Sequence, residues 1–238
     1  MTTFMSLSAQ SLKPYVKGME SSQSVAELSS TLAANLSTAG LNVLGTYSPM
    51  DSKDRSVIVI GAPELNEAVK SVGGLTGFAA ALRVAVTREN NNTVVSYTNP
   101  EYWGNAYFRD NYSKVSTQYK TVGNKLTTAI KATGNFIGTQ FGSEKGLSTD
   151  DLNDYRYMWG MPKFEDTETI ASFSSHEEAV NAVDNALRKG VANVKKVYSI
   201  AIPGTDLKLY GVGLSGEDGE NKFMPKIDIG TPKHTAFL

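Results

Sequence analysis

The sequence contains no cysteine, and this absence excludes several classes of site at once. A chain without thiols forms no disulfide, holds no iron–sulfur cluster and offers neither a cysteine nucleophile nor a thiolate ligand for zinc. Histidine is scarce as well, with 2 residues in the chain, His176 and His234. A zinc site would need both of them together with carboxylates, and their spacing does not suggest one. We therefore expect no metal and no cofactor.

Strong charge and long apolar runs are also missing. The formal net charge of -1 gives no long-range field that would attract nucleic acid or an anionic membrane. No apolar run approaches the ~20 residues that cross a bilayer. The first residues lack the charged and apolar regions of a signal peptide. We expect a protein without a nucleic-acid partner or a membrane span, either cytoplasmic or exported with a signal peptide that this sequence does not include.

Two β-rich segments around an asparagine-rich break give the clearest structural signal. Leu82, Val84 and Val86 alternate with polar or small residues, so one face of the first strand is apolar. The break is Arg-Glu-Asn-Asn-Asn at 88–92, and the second strand ends before Pro100, because proline donates no hydrogen bond to a sheet. The sequence therefore predicts a β-hairpin in this region.

Helix and strand signals occur twice in the same order. A capping box, an apolar stripe and a glycine stop predict a helix at 24–39, followed by strands at 41–47 and 56–61. The cap, the stop and the strand-end glycine recur 150 positions later, as Ser174, Gly190 and Gly211, with strands at 193–202 and 206–213. We interpret the pattern as two copies of a helix–strand–strand unit. Any α+β protein shows some caps and stops at similar lengths, which is the alternative.

The other predicted elements set the domain organisation. Helices are predicted at 64–71 and 112–132 and near Ser148, residues 135–147 are predicted to be a linker, and residues 1–20 show no period. After Gly211 the second copy has only one weak strand, near Met224–Ile229. Its open edge would be covered by the first copy or by a partner chain, unless the natural chain extends beyond Leu238. We expect domains at 1–110, 111–168 and 169–238, the middle one a helical bridge with an aromatic segment.

Three sequence features occur in order: Gly61-Ala62-Pro63, the strand at 82–87, and the run from Val94 to Pro100. Through these features, residues 20–103 resemble the family called domain of unknown function 302. Residues 170–215 resemble the family more loosely, because no proline follows Gly211 and the terminal hairpin is missing. The resemblance implies a compact α+β domain with an antiparallel sheet, often paired into dimers, and it implies no reaction. We therefore expect an α+β fold of two related units, each an antiparallel sheet covered by helices on one face.

Two groups of aromatic residues contain both tryptophans of the chain. One group follows the predicted hairpin, and the other is the segment Tyr155–Pro162. Tyrosine and tryptophan combine a large apolar area with a polar tip, which suits ligand pockets and interfaces. The alternative is that both groups form the seam between helix and sheet. The candidate ligand-binding residues are Tyr97, Asn99, Tyr102, Trp103, Tyr157 and Trp159.

Residues suited to catalysis are few. No Gly-x-Ser-x-Gly motif occurs, and the glycine-rich run Gly211–Gly216 follows a strand without opening a helix, which is not the setting of a dinucleotide loop. Pairs of acidic residues lie at predicted helix starts or in a turn, where they favour the helix dipole or solvent. We assign no catalytic residue and predict a non-catalytic protein that binds a small, partly apolar ligand or a partner chain.

Two other functions stay open. One is a hydrolase or isomerase that uses carboxylates and tyrosines on a small molecule, which would require a carboxyl with a raised pKa in an apolar cleft. The other is a structural homodimer that pairs through exposed sheet edges.

Overall fold

The computed structural model describes residues 11–156, 159–217 and 219–223. It has an α+β fold with one six-stranded antiparallel sheet, flanked by helices, and one two-stranded antiparallel sheet, so the predicted fold class is confirmed. The strands are β1 Tyr15–Ser21, β2 Asn42–Tyr47, β3 Arg55–Gly61, β4 Leu82–Glu89, β5 Asn92–Thr98, β6 Thr139–Phe141, β7 Val194–Ala201 and β8 Lys208–Leu214. The α-helices are α1 Val25–Thr38, α2 Pro63–Val72, α3 Pro100–Phe108, α4 Tyr112–Thr133, α5 Thr149–Asn153, α6 His176–Lys189 and α7 Glu220–Phe223. Short 3₁₀ helices lie at Pro49–Asp51, Gly74–Ala80 and Arg109–Asn111.

The large sheet has the strand order β2-β3-β4-β5-β1-β6. The predicted hairpin forms β4 and β5 in its interior, with Val84 opposite Tyr97. The turn is tighter than predicted, because the ladder continues to Glu89 paired with Asn92. Asn90, in the turn, has a φ of 52°, a left-handed conformation that asparagine tolerates better than most residues.

One face of the large sheet packs against α1, α2 and α4. The predicted capping box starts α1, since the side chain of Ser24 accepts from the Glu27 N–H and that of Glu27 accepts from the Ser24 N–H. The apolar stripe of α1 is fully buried, as are Ile58 and Val84 on the sheet face that it covers. The core therefore lies on this side, as the alternating strands predict.

Two strands of the sheet were not predicted. β1 lies between β5 and β6, and a register shift between Lys17 and Met19 breaks the alternation that would reveal it in the sequence. The linker predicted at 135–147 is wrong in part, because β6 adds to β1 as an edge strand. A strand of three residues has too little length to show a period.

The second helix–strand–strand segment is formed by α6, β7 and β8. Its details differ from the predicted copy, since the N-cap is Ser175 and Gly211 lies inside β8 rather than at its end. β7 and β8 pair with each other and form their own sheet. The structure therefore does not confirm the duplication, and the strand predicted at Met224–Ile229 lies outside the described residues.

The β7–β8 hairpin packs over the face of the large sheet that the helices leave free. Gly45 of β2 lies directly under the Val197 carbonyl, and a Cβ at Gly61 would be 3.3 Å from Ile200 Cδ1. On its other side the hairpin meets α6, where the Lys208 Nζ donates to Asp184 Oδ2 at 2.7 Å. The layers in this region are helices, large sheet, hairpin and α6. Among the described residues, no helix has the length and apolarity that a membrane crossing requires.

Candidate ligand-binding cleft

A cleft lies between the large sheet and the β7–β8 hairpin. Its floor is the sheet face opposite the helices, with Val57 and Val59 on β3 and Arg83 on β4. Its roof is the hairpin, where Tyr198 and Leu209 line the space. The cleft has a volume of about 500 Å³ and is open to solvent, and this volume is within the range of pockets that hold small organic ligands.

Aromatic side chains from α3 and from the 3₁₀ helix Gly74–Ala80 close one end of the cleft. The Trp103 and Tyr107 rings lie 5.1 Å apart between centroids in an edge-to-face arrangement. The Phe78 ring lies 6.0 Å from that of Tyr107. These three inclined rings give the cleft an apolar aromatic wall, a surface suited to the apolar or aromatic part of a ligand.

The start of α3 fixes the position of this wall. The Asn99 side chain accepts from the Glu101 N–H and donates to the Lys13 carbonyl at 2.8 Å, so it caps α3 and ties it to the chain before β1. Trp103 follows one helical turn later, and its backbone N–H donates a hydrogen bond to the Asn99 carbonyl. Asn99 therefore positions Trp103 and does not itself line the cleft.

Two glycines of β8 make room for tyrosine rings at the cleft. Gly211 lies beneath the ring of Tyr198, its partner across the hairpin, and a Cβ at Gly211 would overlap ring carbons. Gly213 lies in the same way beneath the ring of Tyr47. The glycine-rich run that does not fit a dinucleotide loop therefore serves close ring packing. The sequence signal that would have indicated this ring packing is the pair of alternate glycines on one strand.

Arg83 is the positively charged side chain among the described residues that line the cleft. Its guanidinium carbon lies 5.5 Å from the centroid of the Trp103 ring, a cation–π contact. In the described part of the chain, no carboxylate forms an ion pair with it. The sequence does not single out Arg83 as a site residue, since one arginine within a strand has no local signature.

Three tyrosines at the cleft, Tyr47, Tyr107 and Tyr198, have a raised pKa and are protonated at neutral pH. Burial, reinforced by the hydrogen bond that the Tyr47 hydroxyl donates to Glu220 Oε2 at 2.6 Å, raises the pKa of Tyr47. Burial also raises the pKa of Tyr107 and of Tyr198, and the nearby Arg83 opposes this rise in both. The cleft therefore presents neutral hydroxyl groups beside one cation.

The predicted site residues lie at different places. Trp103 lines the cleft, whereas Tyr97 is buried in the main core and Tyr102 in a smaller cluster with Leu12 and Leu152. Trp159 is 97% exposed and is not among the residues that line the cleft. Tyr157 lies outside the described residues.

The second aromatic segment nevertheless reaches the back of the cleft wall. The Phe164 ring lies 5.3 Å from that of Tyr107, 6.2 Å from that of Trp103 and 6.4 Å from that of Tyr155. The two aromatic groups seen in the sequence therefore meet through Phe164 and Tyr155. Phe164 comes just after the predicted aromatic segment, Tyr155–Pro162, and is not among the predicted site residues.

The groups considered for metal binding and acid–base chemistry lie elsewhere. His176 begins α6, with its Nδ1 3.9 Å from Asp206 Oδ1, and His234 lies outside the described residues. Burial raises the pKa of Glu89, although Thr87 donates a hydrogen bond to it at 2.9 Å, and this carboxyl does not line the cleft. Across the ranges that the structure describes, no three His, Asp or Glu side chains gather as metal ligands.

Comparisons with known proteins give weak structural similarity and no family. No model of a protein family matches the chain, and no curated protein matches it. Among solved structures, it is similar to the crystal structure of an uncharacterised conserved protein, DUF302, from Bacillus stearothermophilus. The identity is 16% and the TM-score 0.43, over 49% of this chain and 96% of that one. The family resemblance of residues 20–103 therefore stays a prediction.

Proposed function

We propose that the protein binds a small, partly apolar molecule in the cleft between the large sheet and the β7–β8 hairpin, without transforming it. The observation that supports this proposal is the aromatic end wall of Trp103 and Tyr107 on a space of about 500 Å³. Rings of this kind give a ligand a large apolar contact at a small cost in side-chain entropy. The wall is built on a capped helix, so it is in place before a ligand arrives.

A helix–sheet seam is the competing explanation for these aromatic residues. A seam explains Tyr97 and Tyr102, both of which are buried. It does not explain why Trp103, Tyr107 and Tyr198 stay half-buried around an open space. A seam would bring such large rings together and leave no such volume.

The test compares the two tryptophans as a matched pair. We expect Trp103→Ala to weaken binding of a neutral aromatic probe, naphthalene-2-methanol, by about tenfold or more, because the main apolar wall is lost. Trp159→Ala removes the same side chain from an exposed site and should leave binding unchanged. Isothermal titration calorimetry measures both affinities, and circular dichroism checks that each variant is folded. Equal affinities in the two variants would place the binding site away from the cleft.

An enzymatic role has one observation in its favour. The Tyr47 hydroxyl and the Glu220 carboxylate form a hydrogen-bonded pair that lines the cleft. Mass spectrometry of a species carried through purification, before and after long incubation with the protein, separates the two roles. An unchanged mass supports binding alone, and a new product that disappears in Glu220→Gln supports an enzyme.

A homodimer is the other candidate, and the second helix–strand–strand segment favours it. α6 has no fully buried residue, and Val212 and Leu214 on β8 are 42% and 54% exposed. A poorly covered two-stranded sheet is a site at which a second chain can pair. Analytical ultracentrifugation at micromolar concentration decides this, since a monomer there argues against the dimer.

A further inference from the structure

We infer that the ligand of the cleft is an anion, an aromatic carboxylate whose acid group binds Arg83 while its ring lies against Trp103 and Tyr107. This inference rests on the proposed function, since it names the chemical class of the molecule that the cleft would hold. It follows from the placement of one charge among apolar walls.

Arg83 lies in the interior of the large sheet, on β4. It pairs with Val59 across the β3–β4 ladder, and both side chains line the cleft. The positions before and after it in β4, Leu82 and Val84, are buried in the core. Its neighbours on the floor of the cleft, Val57, Val59 and Ala81, are apolar. An arginine in such surroundings is costly to desolvate unless an anion pairs with it. In the described chain no carboxylate does so, which leaves this role to a ligand.

Glu220 is the carboxylate that also lines the cleft. It accepts the hydroxyl hydrogen bond of Tyr47, on β2, and β3 separates β2 from β4. Tyr47 lies opposite Val57, and Val57 lies opposite Ala85, which is two residues along β4 from Arg83. This register puts the Cα atoms of Tyr47 and Arg83 roughly 12 Å apart. The Glu220 carboxylate is hydrogen-bonded to Tyr47, and among the described residues it forms no ion pair with Arg83.

The guanidinium carbon of Arg83 lies 5.5 Å from the centroid of the Trp103 ring. Among the described residues, no ion pair engages the N–H groups of this guanidinium. Those N–H groups match a carboxylate, which arginine binds through two parallel hydrogen bonds. Tyr107 and Tyr198 lie near enough to Arg83 to interact electrostatically with it. Their hydroxyls add neutral donors to the same region.

The number of positive charges in the cleft limits the charge of the ligand that it suits. Arg83 is the single cation among the described residues lining a cleft whose remaining walls are mostly aromatic and aliphatic. One cation suits one negative charge, and a polyphosphate would leave several charges unpaired in an apolar space. A carboxylate on a planar apolar body would pair with Arg83 through its charge and contact the rings of Trp103 and Tyr107 through its apolar part.

The experiment uses two probes that differ in charge and share a ring system, 2-naphthoate and naphthalene-2-carboxamide. In the wild-type chain we expect 2-naphthoate to bind about tenfold more tightly or better, because only the carboxylate pairs with Arg83. Arg83→Gln should remove this preference, with the amide bound as before. Arg83→Lys keeps the charge but not the planar fork, so it should restore part of the preference. Isothermal titration calorimetry at low and at moderate salt measures each affinity.

The matched control is Arg188→Gln, which removes one positive charge from the exposed face of α6. It should leave the preference for naphthoate unchanged. Equal wild-type affinities for the two probes would overturn the anion inference and leave the proposed cleft standing. If neither probe binds the wild-type chain, both the inference and the proposed function fail. The comparison of probes on the wild-type chain does not depend on whether the Arg83 variants fold.

Discussion

Glu89 shows how a single buried carboxyl affects stability. It is 8% exposed at the end of β4, and burial raises its pKa above the ordinary 4.5. The folded state therefore favours the protonated form, and the associated stability is complete below pH 4.5 and is lost as the pH rises through the raised value. We expect Glu89→Gln to unfold like the wild type near pH 4 and to be more stable near pH 7. Urea unfolding at the two pH values measures the difference.

The control for this substitution is Glu168→Gln, which changes the same charge at an exposed position. It should have little effect at either pH. A Glu89→Gln chain that is less stable than the wild type near pH 7 would mean that the carboxylate is needed in its charged form.

Tyr97 affects stability at the alkaline end. Burial raises its pKa from the ordinary 10.0 to about 12, although a hydrogen bond with Thr127 opposes the rise. The unfolded chain ionises first, so stability is full below pH 10.0 and falls as the pH rises towards about 12. We expect Tyr97→Phe to remove up to ~1.4 kcal/mol of this fall for each pH unit. Urea unfolding between pH 9 and pH 11 tests it, and equal slopes in both chains would contradict it.

Two helical glycines give a matched test at the scale of elements. A Cβ at Gly104 in α3 would lie 2.5 Å from Tyr112 Cε2 and 3.0 Å from the Tyr119 ring. A Cβ at Gly123 in α4 would meet nothing closer than Pro100 Cγ, at 3.9 Å. We expect Gly104→Ala to cost about 1–3 kcal/mol through overpacking. Gly123→Ala should stabilise the chain by about 0.5–1 kcal/mol through helix propensity.

Chemical unfolding of the two variants measures both effects against one wild type. Opposite signs support the packing of α3 against α4 through tyrosine rings. A neutral Gly104→Ala would show that these rings have room to move.

The sequence predicts those elements whose signals are local. The capping box of Ser24 and the apolar stripe after it locate α1 to within a residue, and alternation locates β4 and β5. The sequence does not predict β1 and β6, because each pairs with a strand more than 70 residues away in the chain. Tyr15 of β1, for example, pairs with Thr98 of β5 and with Phe141 of β6. Pairing over such distances leaves no trace in a short window of sequence.

At the scale of the whole molecule, the cleft could be predicted only in part. Trp103 stood out in the sequence because tryptophan is rare in the chain. Arg83 and Tyr198 did not, since each acquires its role only when the β7–β8 hairpin packs on the large sheet. Such a site is a property of tertiary packing, and the presence of aromatic residues in the sequence cannot by itself specify it.

The contact between hairpin and large sheet also bears on the domain boundary that the sequence places at 168/169. Residues 166–175 are exposed and form neither helix nor strand, so a Glu-specific protease should cut after Glu168. We expect the two fragments to stay together on size exclusion, because Ile202 is buried in the main core and Tyr47 is bonded to Glu220. Glu168→Gln serves as the control for the cut site. Fragments that elute separately would make residues 169–238 an independent domain, and the cleft would then be too weakly closed to hold a ligand.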